Sequence, residues 1–439
     1  MNEHLRSLPA WYLQRRARYL PGNEVQLLRG GEELFPAMIE AVRQARFEVW
    51  LSTYIFHHDE AARAVARALA EAAGRGVRVR VVVDGFGSMQ AIDTLRQWWT
   101  DTAVALAVFR PLDRWWAWLQ PEHLRRLHQK VAVVDGEVGF VGGINLIDDR
   151  LDLHHGHLAA PRLDFAVRVR GPVVAPMAHA ARAMWTRAAF GADWRDEVSR
   201  IVRAPGGLHR ARELLQTMRL SGELRASSTA AAGPLPQTEP SQAGTVQAAF
   251  LLRDNLRQRH SIQAALLQAC ARARREIDIV CPYFYPGRVL RRALLEAARR
   301  GVRVRLLLQG QPDYRIAALA ASVLYRELLA GGVRIHEYTE AFLHAKVVRV
   351  DEDWATVGSS NLDPLSLLLN FEANLAVRDG SFVEHLSRQL ELAYAQAREV
   401  THGDQGEGWA GGWLAALRRR FVATVARLYL RLAGVRSVF

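Results

Sequence analysis

The feature that most constrains this 439-residue chain is an internal repeat, in which one local pattern recurs at a separation of 216 residues. In each copy a lysine stands two residues after a histidine, an aspartate follows five residues later, and an asparagine ten residues after that. The first copy is His128, Lys130, Asp135 and Asn145, and the second is His344, Lys346, Asp351 and Asn361. The duplication predicts two homologous domains that share one order of elements.

The two lysines of the repeat are the only lysines in the chain, although lysine and arginine together number 58. Arginine carries a wide planar fork of donors, whereas lysine carries a compact point charge on a flexible stem. An ammonium group is therefore retained only where a histidine stands two residues before it. This distribution indicates that both places require the compact charge.

Similarity between the halves extends beyond these motifs. Residues 45–56 and 273–284 are apolar, β-branched and aromatic runs, which predict buried strands. Residues 70–85 and 295–310 each predict a helix, a glycine stop and a strand in which valine alternates with arginine. Strand–helix–strand units of this kind predict a largely parallel α/β sheet. The alternating arginines are interpreted as a solvated strand face; they are Arg78, Arg80, Arg303 and Arg305.

Each lysine motif leads into two short apolar runs that flank an acidic turn, at 131–143 and 347–359. This pattern predicts a hairpin in each half. Histidine and lysine at positions i and i+2 of a strand point to the same face, so each pair can address one phosphate. Two homologous halves would bring both pairs to a shared cleft at their interface, which is a favoured position for ligands.

Composition divides the chain into five segments. Residues 221–245 are rich in Ser, Ala, Pro, Gly and Thr and cannot bury enough apolar surface to offset the entropy of ordering. The predicted segments are a basic amphipathic N-terminal segment (1–22), domain one (23–200), a flexible linker (201–245), domain two (246–400) and a basic amphipathic, membrane-associating C-terminal segment (401–439).

The net charge of +13 and the isoelectric point near 10.4 indicate an anionic partner, either nucleic acid or an anionic lipid surface. Cys270 and Cys281 form neither a disulfide framework nor a metal-binding spacing, which favours a reducing compartment. Residues 1–22 carry several arginines and no apolar core, unlike a signal peptide. The absence of 18 consecutive uncharged apolar residues argues against a transmembrane helix.

The repeat carries groups suited to phosphodiester chemistry. One histidine can attack phosphorus while the other protonates the leaving oxygen. The two lysines and two asparagine amides can hold the charge on the non-bridging oxygens. The small residues Gly143 and Ser359, which precede the asparagines, would let the backbone approach a substrate closely.

A nucleophilic imidazole needs an acceptor that fixes its second nitrogen. Glu372 opens a strand eleven residues after Asn361, and aligning the halves places Asp164 at the equivalent position, nineteen residues after Asn145. The eight extra residues in the first half form an insertion that contains Asp152 and three histidines. Its histidines are His154, His155 and His157. We interpret the insertion as a solvated or substrate-lining loop in preference to a metal site, and we expect no metal or other cofactor.

This constellation resembles the phospholipase D superfamily, whose signature is a duplicated H-x-K-x4-D motif followed by G-x-x-N. The stretches FVGGIN, TVGSSNLDPLSLLLNFEANL, DGFGS (84–88) and PYFYPG (282–287) are similar to the bacterial cardiolipin synthase branch, most closely its short B-type without transmembrane helices. The resemblance implies an α/β fold of two homologous α-β-α sandwich domains, with pseudo-two-fold symmetry and a shared active-site cleft. It also implies a metal-independent, two-step reaction through a phosphatidyl-histidine.

In that superfamily the motif nearer the N-terminus usually carries the nucleophile, which would be His128. His344 would then act first as general acid and later as general base. The motif aspartates Asp135 and Asp351 belong to the catalytic signature, although in these families they mostly support local structure.

Two segments have the composition of a lipid–water interface. Trp115, Trp116 and Trp118 lie among arginines just before the first motif, where they could contact a lipid substrate. Residues 401–439 include a basic stretch with apolar residues at helical spacing. The alternative for both segments is packing against the protein's own core.

The sequence therefore predicts a cardiolipin synthase that transfers a phosphatidyl group between two phosphatidylglycerol molecules. The expected partners are anionic phospholipids, namely phosphatidylglycerol and cardiolipin, at a membrane surface, with no nucleic acid. The expected location is peripheral, on the cytoplasmic side of the cell membrane. A hydrolytic phospholipase D, another phosphatidyltransferase and a phosphodiesterase or nuclease on the same scaffold remain alternatives, and the sequence leaves the head groups and the oligomeric state open.

Overall fold

The computed structural model describes residues 17–111, 125–190, 246–254, 258–310, 324–363, 366–367 and 369–401. In the first half these residues form β1 (Leu20–Arg29), α1 (Gly30–Arg43), β2 (Glu48–Thr53), α2 (Glu60–Gly74), β3 (Arg78–Asp84), α3 (Ile92–Trp98), β4 (Ala105–Phe109), β5 (Val131–Val134), β6 (Val138–Gly142), β7 (Leu151–Asp152), β8 (Gly156–His157), β9 (Phe165–Arg170) and α4 (Val174–Phe190).

The second half repeats the order of the strands without the short β7–β8 hairpin and adds one strand after its last helix. It contains β10 (Val246–Arg253), α5 (Ser261–Arg272), β11 (Glu276–Val280), α6 (Arg288–Arg299), β12 (Arg303–Gln309), β13 (Arg334–Tyr338), β14 (Val347–Val350), β15 (Trp354–Gly358), β16 (Glu372–Arg378), α7 (Gly380–Ala395) and β17 (Ala397–Val400). Strand β1 begins three residues before the predicted start of domain one. The domain boundaries themselves remain predictions.

One 15-stranded sheet runs through both halves, and β1 and β10 pair antiparallel at its centre. Outward from β1 the order is β9, β6, β5, β2, β3 and β4; outward from β10 it is β16, β15, β14, β11, β12, β13 and β17. Equivalent strands therefore occupy equivalent places on either side of the β1–β10 pair. This arrangement confirms the predicted pseudo-two-fold symmetry.

The prediction of a largely parallel sheet is wrong. Only β2–β3–β4 and β11–β12–β13 pair in parallel, and every other neighbouring pair of the large sheet is antiparallel. The helical crossovers at α2 and α6 produce the parallel strands. The β5–β6 and β14–β15 hairpins, which the sequence did predict, add antiparallel strands between each parallel set and the centre.

Helices cover both faces of the sheet, which confirms the predicted α-β-α layers. On one face α1 and α2 pack on the first half and α5 and α6 on the second, each pair over its own core. On the other face the core is continuous across both halves and includes Met177 of α4 and Leu386 of α7. Strands that are buried at nearly every position, such as β2, β5 and β15, and amphipathic helices account for these layers. Among the residues described, no helix has both the length and the hydropathy to cross a membrane.

The arginines of β3 and β12 depart from the predicted solvated face. Arg305 is 6% exposed and binds Asp278 of β11 and Glu391 of α7. Arg80 lies over the ring of Trp185 in α4, with its guanidinium carbon 5.2 Å from the ring centroid. Because α4 and α7 cover this side of the sheet, the arginines are bound between layers and the interpretation of a solvated face is wrong for these two.

Candidate active site

Two pairs of backbone bridges bring the repeated motifs together. In the first, the His128 amide donates to the Phe371 carbonyl at 3.0 Å, and the Phe371 amide donates to the Arg126 carbonyl at 2.9 Å. In the second, the His344 amide donates to the Leu163 carbonyl at 2.8 Å. Each histidine segment of one half therefore runs beside the segment that carries the acidic residue of the other half.

The bridges create two crossed histidine–carboxylate pairs. His128 Nδ1 lies 3.0 Å from Glu372 Oε2, and His344 Nδ1 lies 2.6 Å from Asp164 Oδ2. The sequence identified both acids, but the exchange between halves appears only in the structure. A carboxylate on Nδ1 fixes the ring orientation and the tautomer, which leaves Nε2 as the nitrogen that can attack or protonate a substrate.

The two lysines lie in the extended segments that lead into β5 and β14. Lys130 Nζ donates to the carbonyl of His128 at 2.8 Å, and Lys346 Nζ donates to the carbonyl of His344. Both side chains are buried, with exposed fractions of 6% and 3%. Each ammonium group is thus held on the backbone of its own histidine.

Burial dominates the electrostatics of this cleft. It lowers the pKa of Lys130 to about 7, with a further contribution from the charge of Lys346, and it lowers the pKa of Lys346 to about 8. Burial also lowers the pKa of His128 and takes that of His344 well below its ordinary value, to which the lysine charges add. A site with two buried ammonium groups is arranged to receive a negative charge.

The two acids differ in protonation. Burial raises the pKa of Asp164 to about 7. Burial also opposes ionisation of Glu372, but His128, Lys130 and a hydrogen bond from Ser359 outweigh it, and its pKa lies below the ordinary value. Near neutral pH the His344–Asp164 pair can therefore hold a shared proton, whereas Glu372 is ionised beside His128.

The two asparagines lie at the ends of the hairpins and are each 5% exposed. Asn145 Oδ1 accepts the amide of Ile55 at 3.2 Å, and Asn361 Oδ1 lies 3.9 Å from Cys281 Sγ. The amide oxygen of each is thus bound to the strand segment next to the cleft. The NH₂ groups are the ends that can donate to a bound anion.

Gly143 and Ser359, which the sequence predicts as substrate-binding residues, occupy equivalent positions and contact the acids. A Cβ at Gly143 would overlap the carboxylate of Asp164, so this position must lack a side chain. Ser359 is fully buried, and its hydroxyl donates to Glu372 Oε2 at 2.5 Å. Each residue fits the carboxylate of its own half.

Replacing Ser359 with alanine is expected to lower kcat by about tenfold, because a hydrogen bond to a charged group is worth roughly 1.5–3 kcal/mol and orients Glu372 for His128. The pH profile of kcat should shift with it, while KM changes little. Steady-state kinetics across pH would measure both effects. Ser381→Ala, which removes an exposed hydroxyl bound to Asp379, is the matched control. An unchanged pH profile would remove Ser359 from this role.

Asp135 and Asp351 lie in the hairpin turns, at the far end of β5 and β14 from the histidines. Asp135 accepts the amides of Arg46, Phe47 and Glu48, all at 2.8 Å. Asp351 accepts the amides of Arg274, Arg275 and Glu276 in the same way. Both have positive φ, at 53° and 51°. Each joins a hairpin to the start of the neighbouring strand, and their place in the catalytic set stays a prediction.

Replacing Asp135 with alanine is expected to destabilise the fold by about 3 kcal/mol, since three hydrogen bonds to a carboxylate are lost and alanine tolerates positive φ poorly. The folded fraction should keep its chemistry. Denaturant unfolding would measure the loss. Asp353→Ala, at an exposed position of the other hairpin turn, should cost little. A fully stable but inactive Asp135→Ala protein would contradict the structural role.

Tyr54 and Asp84 contribute to the site but were not predicted. The Tyr54 ring centroid lies 5.1 Å from that of His128 and 5.5 Å from Lys130 Nζ. Asp84 is fully buried, and its carboxylate accepts the amide of Leu127 at 2.8 Å, next to His128. In the second half Gln309 accepts the amide of Leu343 in the equivalent way at 2.9 Å. Tyr54 and Asp84 lie near the ends of the predicted strands in residues 45–56 and 70–85, and that position is the sequence feature that could have identified them.

The histidine-rich insertion forms the exposed β7–β8 hairpin. Its His155 ring stacks on Phe342 at 5.3 Å, two residues before His344, so the insertion lies near the second motif. Within the described ranges no group of three or more His, Cys, Asp or Glu side chains could hold a metal ion. Trp115, Trp116, Trp118 and residues 402–439 lie outside the described residues.

Comparison with known proteins gives one consistent result. A family model described as cardiolipin synthase, PLD-like domain, matches residues 38–160 and 266–393. Cardiolipin synthase B of Salmonella typhi is 37% identical over 370 residues, covering 84% of this chain and 80% of that protein. Cardiolipin synthase A of Pseudomonas putida is 32% identical over 385 residues, covering 88% of this chain and 71% of that protein.

Among solved structures, a phosphatidylserine synthase of Haemophilus influenzae matches with a TM-score of 0.63 and 15% identity, covering 95% of this chain and 97% of that one. This likeness shows the fold.

Proposed function

The chain belongs to the cardiolipin synthase, PLD-like domain family, and we propose that it joins two phosphatidylglycerol molecules into cardiolipin and releases glycerol. The observation that carries the proposal is the crossed pairing of His128 with Glu372 and of His344 with Asp164. It supports a single site shared by one histidine, one lysine and one asparagine from each half. The site residues thus form one catalytic unit.

In the first step His128 Nε2 attacks the phosphorus of one phosphatidylglycerol. The bond from phosphorus to the glycerol oxygen breaks, and His344 protonates that oxygen as glycerol leaves. The ionised Glu372 stabilises the positive charge that His128 acquires. The proton shared by His344 and Asp164 supports His344 as the acid.

In the second step His344 removes the proton from a hydroxyl of a second phosphatidylglycerol. The resulting oxygen attacks phosphorus, the phosphorus–nitrogen bond breaks, and His128 is regenerated with cardiolipin as product. Lys130, Lys346 and the two asparagine amides hold the non-bridging oxygens in both steps. No step requires a metal.

The partners follow from this reaction. Anionic phospholipid is the substrate class, and we propose peripheral binding on the cytoplasmic side of the cell membrane, with no role for nucleic acid. The tryptophans at 115, 116 and 118 and the basic segment 401–439 are proposed as membrane contacts. Their composition and the net charge of +13 support this.

Product analysis tests the function. Purified protein incubated with phosphatidylglycerol should give cardiolipin and glycerol in equal amounts by mass spectrometry, and His128→Ala should give neither. Phosphatidic acid as the only lipid product would replace the proposal by a hydrolytic phospholipase D. Cleavage of nucleic acid without lipid turnover would indicate a nuclease.

Anion binding to the empty site should weaken as pH rises. Because the pKa values of Lys130 and Lys346 are lowered to about 7 and about 8, both ammonium groups lose their protons between pH 6.5 and 8.5. Sulfate keeps a constant charge over this range, and its affinity should fall by roughly 10- to 100-fold, as linkage requires. Titration calorimetry would measure this fall, and Lys130→Met should flatten it. An affinity independent of pH would contradict the assignment of these lysines to the anion site.

A further inference from the structure

A turn beside the cleft carries two exposed apolar side chains. Residues 85–90, here called the rim loop, follow β3 and contain Phe86 and Met89, which are 50% and 54% exposed. The other exposed large hydrophobic residues of the described chain are scattered singly; they are Phe47, Val289 and Leu392. Single exposed hydrophobics are ordinary, whereas an adjacent pair on one loop indicates a contact surface.

The backbone of the rim loop is tightly anchored, so its side chains cannot withdraw by a small rearrangement. Asp84 accepts the amides of Phe86 and Gly87 at 2.9 and 3.1 Å, and its other oxygen accepts the amide of Leu127. Ser88 Oγ donates to the carbonyl of Tyr54 at 2.9 Å and accepts the amide of Phe56 at 3.0 Å. A Cβ at Gly87 would overlap the backbone of Tyr54, which shows how closely the loop packs on the cleft wall.

The same anchors place the rim loop beside the first histidine motif. Asp84 holds Leu127, the residue before His128, and the Tyr54 ring packs on His128 itself. The rim loop is therefore connected to His128 through Tyr54 on one side and through Asp84 and Leu127 on the other. A surface that touches Phe86 and Met89 lies close to the first motif.

Positive charge accompanies these apolar groups. The Arg126 guanidinium carbon lies 5.2 Å from the Phe86 ring centroid, but its side chain is 13% exposed and pairs with Asp84 at 3.9 Å, so it supports the ring from within the protein. Arg110, at the end of β4, donates to the carbonyl of Arg125. Aromatic and thioether side chains beside arginines match an interface that is apolar inside and anionic at its surface. An anionic phospholipid bilayer has this composition.

We propose that the rim loop docks on an anionic phospholipid bilayer, with Phe86 and Met89 inserted at the acyl–headgroup boundary and the net charge of +13 favouring the anionic surface. This inference rests on the proposed function, because a diacyl substrate must leave a bilayer to reach His128. Docking at the rim loop shortens that path, since the lipid emerges beside the cleft.

A fluorescent label on the rim loop tests the contact. The chain has two cysteines, Cys270 and Cys281, and both are 1% exposed, so Met89→Cys offers a selective site for an environment-sensitive fluorophore. Vesicles of phosphatidylglycerol and phosphatidylcholine should shift its emission to the blue, and pure phosphatidylcholine vesicles should shift it much less. The same label at Leu392→Cys, on α7, should not respond. Equal responses at both positions would overturn the proposal, as would a blue-shifted label in lipid-free protein, which would mean that the chain itself covers the loop.

Binding measurements supply a second test. The double variant Phe86→Ser/Met89→Ser should bind these vesicles about tenfold more weakly in cosedimentation, because two partly buried apolar side chains are lost from the interface. Phe47→Ser/Leu392→Ser removes equally exposed side chains elsewhere and should bind as the unmodified protein does. Circular dichroism verifies folding. Unchanged binding by the rim-loop variant would overturn the docking surface.

Different outcomes would refute the docking surface and the proposed function. Short-chain phosphatidylglycerol below its micellar concentration offers substrate without a bilayer. Cardiolipin formed from it by the unmodified protein, with no label response on vesicles, would overturn only the docking surface. A label response without cardiolipin from any substrate would overturn the function and leave the docking surface in place.

Discussion

Replacing His128 with alanine is expected to abolish phosphatidyl transfer, with a loss in kcat/KM of roughly 10⁴-fold or more, since the covalent route disappears with its nucleophile. Replacing His344 should cost a similar factor with phosphatidylglycerol, because glycerol is a poor leaving group without an acid. Radiolabelled phosphatidylglycerol gives the sensitivity to measure both variants. Cardiolipin formation by His128→Ala at more than a few per cent of the normal rate would contradict the nucleophile assignment.

An activated donor substrate distinguishes the roles of the two histidines. A phosphatidyl ester of p-nitrophenol needs no acid, so His344→Ala should release one equivalent of nitrophenolate in a burst and then stall without its base. The protein mass should rise by one phosphatidyl group, located on the peptide that contains His128. His128→Ala should show no burst. A burst in His128→Ala, with the adduct on His344, would reverse the two roles.

Replacing Lys130 with arginine is expected to lower kcat/KM by roughly 10²- to 10³-fold although the charge is preserved, because buried positions that bind a phosphoryl group are sensitive to small displacements. Lys130 Nζ donates to the His128 carbonyl, and the Tyr54 ring lies beside it. A planar guanidinium needs more width than this place provides. Kinetics on phosphatidylglycerol would measure the loss.

Lys346→Arg serves as the parallel test in the second half and should be comparably impaired. Arg388→Lys, at an exposed i,i+4 pair with Glu384, makes the reverse change on the surface and should be silent. Normal turnover by Lys130→Arg would refute the inference drawn from the scarcity of lysine. The rest of the site assignment does not depend on that inference.

Local spacing predicts much of the site because most of its residues in each half lie close together in the sequence. The histidine, lysine and asparagine of each half lie in or next to one hairpin, so the sequence brings them together directly. Glu372 and Asp164 could be found by aligning the halves. Their partners could not, because the crossed pairing depends on bridges such as His128–Phe371 that join residues 243 positions apart.

Other predictions were wrong, also for physical reasons. The parallel sheet was inferred from the crossover units alone, whereas the hairpins set the direction of the central strands. Arg305 was taken as solvated because alternation reveals a face but does not reveal that α7 covers it. The conspicuous Asp135 supports the fold, whereas the less conspicuous Ser359 contacts a catalytic pair.

The halves are symmetric in motif residues and asymmetric around them. Glu372 accepts a hydrogen bond from the Ser359 hydroxyl, whereas Asp164 lies against the backbone of Gly143, which has no side chain. Tyr54 packs on His128, and Pro282 occupies the equivalent position in the second half. These differences act on the two histidines separately and give a physical basis for dividing nucleophile from acid.

The stereochemistry of transfer tests the central claim, a two-step displacement in one site shared by both halves. The measurement uses phosphatidylglycerol made chiral at phosphorus with oxygen isotopes, and a simple alcohol as acceptor, so that the configuration of the product can be read by phosphorus NMR. Attack by His128 inverts phosphorus once and attack by the acceptor inverts it again, so the account predicts overall retention. Overall inversion would mean a single direct displacement and would contradict it.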